Sequence, residues 1–225
     1  MDRMVRMGAE QRHAGGRPRS FDEGQALDGA IDVFWRLGYE GASLAELTEA
    51  MGINKPSMYA VFGSKEELFV HALGRYGQRY HEHLRQVLAK PRAYDILESY
   101  LRDTAKAVRA GNSLGCLSIQ GGISCGPNNA RIPQLLAEYR HGIEEAVAKA
   151  LAAADDAPYS DTEALAGFAV TIGQGLAVDA AAGVPQARLD AAVDVALAGL
   201  AMLLVSNLRT DDADGRSRRP PVTTL

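Results

Sequence analysis

Apolar residues recur at helical spacing along most of the chain. Leu27, Ala30, Ile31, Phe34 and Leu37 form one stripe, opened by Asp22 and Glu23, where acidic groups favour a helix N-terminus, and stopped by Gly38. Ser43 with Glu46 three residues on makes a capping box for a second helix, which buries Leu44, Leu47 and Met51 and ends at Gly52. Asn54 caps a third, short helix, with Pro56 tolerated in its first turn, Met58 and Phe62 turned inwards and Gly63 at its end. Ser64 and Glu67 form another capping box and open a long helix from Lys65 towards Leu88. Two short helices joined by a tight glycine turn and packed on a preceding amphipathic helix predict a helix-turn-helix unit. On its second helix Lys55, Pro56, Ser57, Tyr59, Ala60 and Val61 are left facing outwards.

The rest of the pattern is helical too. Lys90-Pro91-Arg92 breaks the long helix, and Tyr94 to Ala110 resumes with Leu97, Tyr100, Leu101 and Val108. Gly115 to Asn129 reads as a short helix interrupted or ended by glycines. Ile132 to Ala153 is a longer one, with Leu135, Leu136, Tyr139, Ile143, Val147 and Leu151 on one side. Two further helices, Asp161 to Ala182 and Pro185 to Leu208, are separated by Gly183, and the last is apolar on most faces, which excludes a one-sided surface helix. The expected fold is all-α with about nine helices. A flexible basic arm (1–19) precedes a three-helix helix-turn-helix domain (20–65). A larger helical domain (66–208) and a disordered tail (209–225) follow.

Charge changes this picture more than composition does. The chain of 225 residues carries a formal net charge of -4, yet Arg3, Arg6, Arg12, Arg17 and Arg19 face only Asp2 and Glu10 in its first twenty residues. Lys55 and Lys65 add to that basic end, while acidic residues load the distal half. Binding to an anionic polymer depends on the local field, screened beyond about 8 Å at physiological salt, rather than on the sum. With two cysteines and no secretory leader, a reducing cytoplasm is expected. The apolar run Val195 to Val205 is too short to span a bilayer, so a soluble protein without a membrane partner is expected.

The stretches GRPR (16–19) and FWRLGYEGASLAELTEAMGINKPSMYAVFGSKEELF (34–69), with the helix leading into them, resemble the tetracycline-repressor (TetR) family. Gly38, Tyr39, the Ser43 cap, the Gly52 turn, Tyr59, Phe62, Lys65 and Leu68 fall in register with that family's pattern. Met58-Tyr59 stands where the family usually has Leu-Tyr, and Thr48 where alanine is common. GCLSIQ and IGQGLAVDAAAGV resemble pieces of the regulatory domain in one branch of the family. The resemblance implies a homodimer, a DNA-binding head and a ligand-responsive helical body.

On that footing the candidate residues take roles. Lys65, at a helix N-terminus, and the Tyr59 hydroxyl are expected on phosphate, with Ser43 and Ser57 as further donors or as helix caps only. Lys55 can donate to guanine, while Pro56, Ala60 and Val61 offer apolar contact to thymine methyls. Arg17 and Arg19 would lie in or beside the minor groove. A palindromic double-stranded operator would be read by one such helix per half-site, about 34–36 Å apart.

For an effector pocket in the body the candidates are Tyr100, Cys116, Gln120, Phe168, Thr171 and Gln174, each also readable as a packed core residue. The apolar last two helices are expected to pair two copies of the chain. Cys116 and Cys125 read as buried, unreactive packing residues, and on one continuous helix their spacing puts them on opposite faces. Without CxxC or a chelating histidine pair, no metal and no cofactor are expected. No Ser/His/Asp set or phosphate loop supports an enzyme. The predicted function is a repressor released from DNA by a small molecule. The alternatives are a thiol- or metal-responsive regulator and a constitutive DNA-binding protein.

Overall fold

A computed structural model describes residues 21–110, 115–157 and 161–209, with side chains described as far as Leu204. The arm with Arg17 and Arg19, and the tail from 210 onwards, lie outside the described residues. Those described form nine α-helices and one 3-10 turn, Pro127–Asn129, with no strand among them.

The first helix, α1 (Glu23–Gly41), starts at Asp22, whose carboxylate accepts from the Gln25 amide at 2.9 Å. It buries Ala26, Ala30, Ile31, Val33, Phe34 and Trp35. Gly38 has φ +68, so the helix is broken there even though hydrogen bonding resumes to Gly41. That break redirects the next residue, and the Tyr39 amide donates to the Gly121 carbonyl at 2.8 Å in the far half of the chain.

The next three helices follow their caps. Both capping boxes are present, Ser43–Glu46 ahead of α2 (Leu44–Ala50) and Ser64–Glu67 ahead of α4 (Lys65–Leu88). Asn54 caps α3 (Lys55–Phe62) through the Ser57 amide at 2.9 Å. Caps of this kind stabilise a helix by about 1 kcal/mol each. Gly52, with φ +65, makes the turn between α2 and α3. Thr48 is buried without cost, because its hydroxyl bonds the carbonyls of Leu44 (2.8 Å) and Ala45 (3.1 Å).

The body consists of α5 (Ala93–Ala107), α6 (Leu117–Gln120), α7 (Arg131–Ala152), α8 (Thr162–Ala181) and α9 (Gln186–Arg209). Helix α5 packs on α8 and α9, α7 on α8, and α4 reaches back to α5 and α7. The Arg109 guanidinium donates to the Val184 carbonyl at 2.6 Å and the Gln186 amide to the Ala105 carbonyl at 3.2 Å, fixing the start of α9 on α5. Helix α8 is long and apolar enough to cross a bilayer by length and composition, but nearly half of its apolar window is buried against neighbouring helices. Its outward residues Ala164, Phe168, Thr171, Gly175 and Val178 are spaced by four and three, one stripe of the helix. On α9, Val195 is 75% exposed and Leu203 is also outside.

Candidate nucleic-acid interface and effector cavity

Helix α3 presents Lys55, Pro56, Tyr59 and Ala60 to solvent, with Tyr59 49% exposed. Met58 and Phe62 are buried beneath them. Val61 departs from the expectation, because it is half-buried against the head's core. It stands three residues after Met58 and so shares the inner face. Ser57 is half-buried, its amide held by Asn54, and Ser43 is exposed with its hydroxyl accepting from the Glu46 amide.

Lys65 is not a freely solvated lysine. Its ammonium lies 4.5 Å from the centre of the Tyr39 ring. Partial burial pushes its pKa down, and the nearby Glu40 carboxylate opposes that. Burial in turn pushes the Tyr39 phenol up. Glu40 accepts from the Asn129 side chain (2.7 Å) and the Gly126 amide (3.2 Å), which hold its carboxyl below the usual range. Arg131 reaches Glu66 at 2.6 Å. The end of α1 and the start of α4 are thus fastened to the segment around α6 and the 3-10 turn.

Inside the body, a cavity of about 490 Å³ opens between α4, α5, α6, α7 and α8. Of the predicted lining, Tyr100, Cys116 and Gln174 are there. Phe168 and Thr171 are not. They lie on the outward stripe of α8, whose inner face is taken by Leu165, Ala169, Val170, Gly173 and Leu176. Gln120 is not in the wall either. Its side chain is packed against Gly115, and its buried Oε1 has no hydrogen-bond partner among the described residues.

The sequence reading missed Tyr76, Tyr80 and Trp35 as cavity residues and treated Tyr139 as core. Tyr76 and Tyr80 are one turn apart on α4, which was the available signal.

Both cysteines are free thiols and half-buried, not fully packed away. Helix α6 ends at Gln120, so the continuous-helix geometry does not hold between them. Cys116 Sγ lies 3.2 Å from the Tyr76 hydroxyl and 3.0 Å from that of Ser118. Cys125 packs on the first core, and burial followed by Glu40 pushes its thiol up. His81 and His83 stand at the cavity rim, His83 paired with Asp103 at 3.0 Å. No cluster of metal ligands occurs among the described residues.

Comparison with known proteins agrees with this geometry. The family described as "Bacterial regulatory proteins, tetR family" matches residues 26–72, which run from α1 into α4. The chain is 32% identical over 182 residues to the HTH-type transcriptional repressor ComR of Escherichia coli (strain K12), covering 77% of this chain and 86% of that protein. It is 34% identical over 140 residues to the repressor BdcR of the same strain, covering 61% and 70%. Among solved structures, a cysteine mutant of the TetR family regulator CifR complexed with 26bp double-strand operator DNA is 41% identical. That match covers 80% of this chain and 98% of the other, with a TM-score of 0.74. The chain belongs to the TetR family of bacterial transcriptional regulators.

Proposed function

We propose that the chain works as a cytoplasmic homodimeric repressor, released from a palindromic operator when a small molecule enters the body cavity. Residues 20–65 act as the reading head and 66–208 as the responding body. Lys55 meets the major groove with Pro56 and Ala60 alongside, the Tyr59 hydroxyl and Lys65 contact phosphate, Lys65 from its place on Tyr39, and Ser43 and Ser57 add further donors. Arg17 and Arg19 reach the adjacent minor groove. The outward stripes of α8 and α9, with Phe168, Val178 and Val195, pair two copies of the chain.

The observation that carries effector release is the hydrogen bond from Tyr39 to the Gly121 carbonyl, one residue past α6. Cys116 and Ser118 line the cavity, and the same short segment holds the residue on which Lys65 rests. A ligand that shifts α6 therefore moves a phosphate contact, and it must bind the two arrangements with different affinity for the switch to work. A cavity of about 490 Å³ also weighs against constitutive binding.

The test uses the full-length dimer and a palindrome selected by it from random DNA. Lys65→Ala should weaken binding roughly tenfold, as expected for loss of a charge-assisted hydrogen bond. The slope of log affinity against log salt should fall by about one for each lysine lost. Tyr59→Phe should show a smaller loss. Unchanged affinity in both variants would remove these residues from the interface.

A further inference from the structure

Four phenols stand among the polar groups of the cavity wall, beside the side-chain amides of Gln78 and Gln174 and the hydroxyls of Thr104 and Ser118. Tyr76 and Tyr80 come from α4, Tyr100 from α5 and Tyr139 from α7, and all four line the cavity with Cys116, whose sulfur meets the Tyr76 hydroxyl. The Tyr76 ring centre is 5.0 Å from that of Tyr80 and 6.4 Å from that of Tyr139. Two glycines in the wall make room for them. A Cβ on Gly77 would come within 3.3 Å of the Tyr139 hydroxyl, and one on Gly173 within 3.5 Å of the Tyr100 hydroxyl.

Burial, and after it the neighbouring Cys116, pushes every one of these phenols up, Tyr139 to about 12. All four therefore stay neutral and can donate. Tyr76 is engaged with Cys116 and Tyr100 with Thr104. The Tyr80 and Tyr139 hydroxyls have no protein partner among the described residues.

The charged groups of the wall are Arg140, Asp103 and the two histidines at the rim. The Arg140 guanidinium donates to the Ser118 carbonyl, Asp103 pairs with His83, and His81 is exposed at the rim. A charged ligand would leave water for a mainly apolar wall, a cost that Arg140, bonded to a neutral carbonyl, could offset only for an anion.

We propose that this cavity selects a neutral, mainly apolar molecule bearing one hydrogen-bond-accepting oxygen, such as a ketone, lactone or ether, seated on the hydroxyls of Tyr139 and Tyr80. The inference rests on the reading of the cavity as the effector site and gives that site its chemical class.

Four adamantanes differing in one substituent test it on the full-length protein: acetyladamantane, ethyladamantane, adamantane carboxylate and adamantylmethylammonium. Trp35, the single tryptophan, lines the cavity and reports binding by its fluorescence. Acetyladamantane should bind roughly threefold to tenfold tighter than ethyladamantane, the value of one neutral hydrogen bond. The charged pair should bind at least about tenfold more weakly than acetyladamantane.

Tyr139→Phe together with Tyr80→Phe conserves ring volume, is checked for an unchanged thermal midpoint, and should erase the acetyl preference. Equal binding of acetyl and ethyl probes, tighter binding of a charged probe, or no binding by any probe overturns the inference. So does an acetyl preference that survives the double variant. Operator affinity measured alongside separates the two readings. Selective binding with undisturbed DNA affinity sinks the effector reading and leaves the ligand class standing. Operator release driven by a charged probe does the opposite.

Discussion

The two hydrophobic cores of this protein use different residues to different ends. The first gathers Phe34, Trp35, Tyr39, Phe62, Phe69 and Tyr76. Its rings meet edge to face, Phe34 on Phe69 with centres 4.9 Å apart and Trp35 on Tyr76 at 5.2 Å. Such pairs add about 0.5–1.5 kcal/mol each beyond their buried area. Leu117, Ile132 and Leu136 from the body fill the same cluster, so reading head and body share it. The second core, between α5, α7, α8 and α9, has no ring among its fully buried side chains and relies on Ala105, Ala166, Ala169, Ala180 and leucines. Small residues let those helices approach closely but fix fewer directional contacts. The contrast teaches where geometry is stored. The aromatic core sets the angle at which the head meets the body, and the alanine-rich core supplies a frame whose outer stripes remain free to pair.

Mutations in the two cores should therefore differ in kind. Phe34→Ala leaves a cavity in the shared core and is expected to cost about 3–5 kcal/mol in urea unfolding at fixed protomer concentration, with operator binding lost. Retained operator affinity in that variant would mean that the head holds its angle without the rings. Ala166→Leu overpacks the second core and should cost about 1–3 kcal/mol while the folded fraction binds operator as before. An equal loss of DNA affinity would show that the frame, too, controls the head.

A smaller effect tests the tie between α1 and α4. Asp28 accepts from Arg75 at 2.7 Å and pairs with Arg79, and the Arg75 hydrogen bond holds its carboxyl below the ordinary range. A carboxyl lowered by folding stabilises above its unfolded pKa of about 4, and that contribution disappears as pH falls through the lower folded value. Asp28→Asn should then cost about 1 kcal/mol at neutral pH, given the partial exposure of all three groups. The gap to the unmodified protein should close in acid. A gap that persists at low pH would assign the effect to packing instead of charge.

How much was legible beforehand depended on the range of the interaction. The caps at Ser43, Asn54 and Ser64 act within three residues of themselves, and all three stand as read, while Asp22, read as an acidic group at a helix start, is itself the cap of α1. Lys65 was legible as a helix-start lysine but not as a cation over Tyr39, because that pairing needs α1 and α4 to be packed first. Phe168, Thr171 and Gln174 stand three residues apart on one helix, and periodicity cannot say which of them faces inwards when both faces are apolar. Only Gln174 does.

The sequence by itself determined the helical class, the helix-turn-helix head and most of the outward face of α3, though not Val61, since each follows from local spacing and capping chemistry. Tertiary structure alone decided which phenols share the cavity wall with Cys116, which stripe of α8 stays outside, and that Tyr39 is held by Gly121. Those choices depend on how α4, α5 and α7 close around α6, and burial is a property of the assembled helices rather than of any one of them.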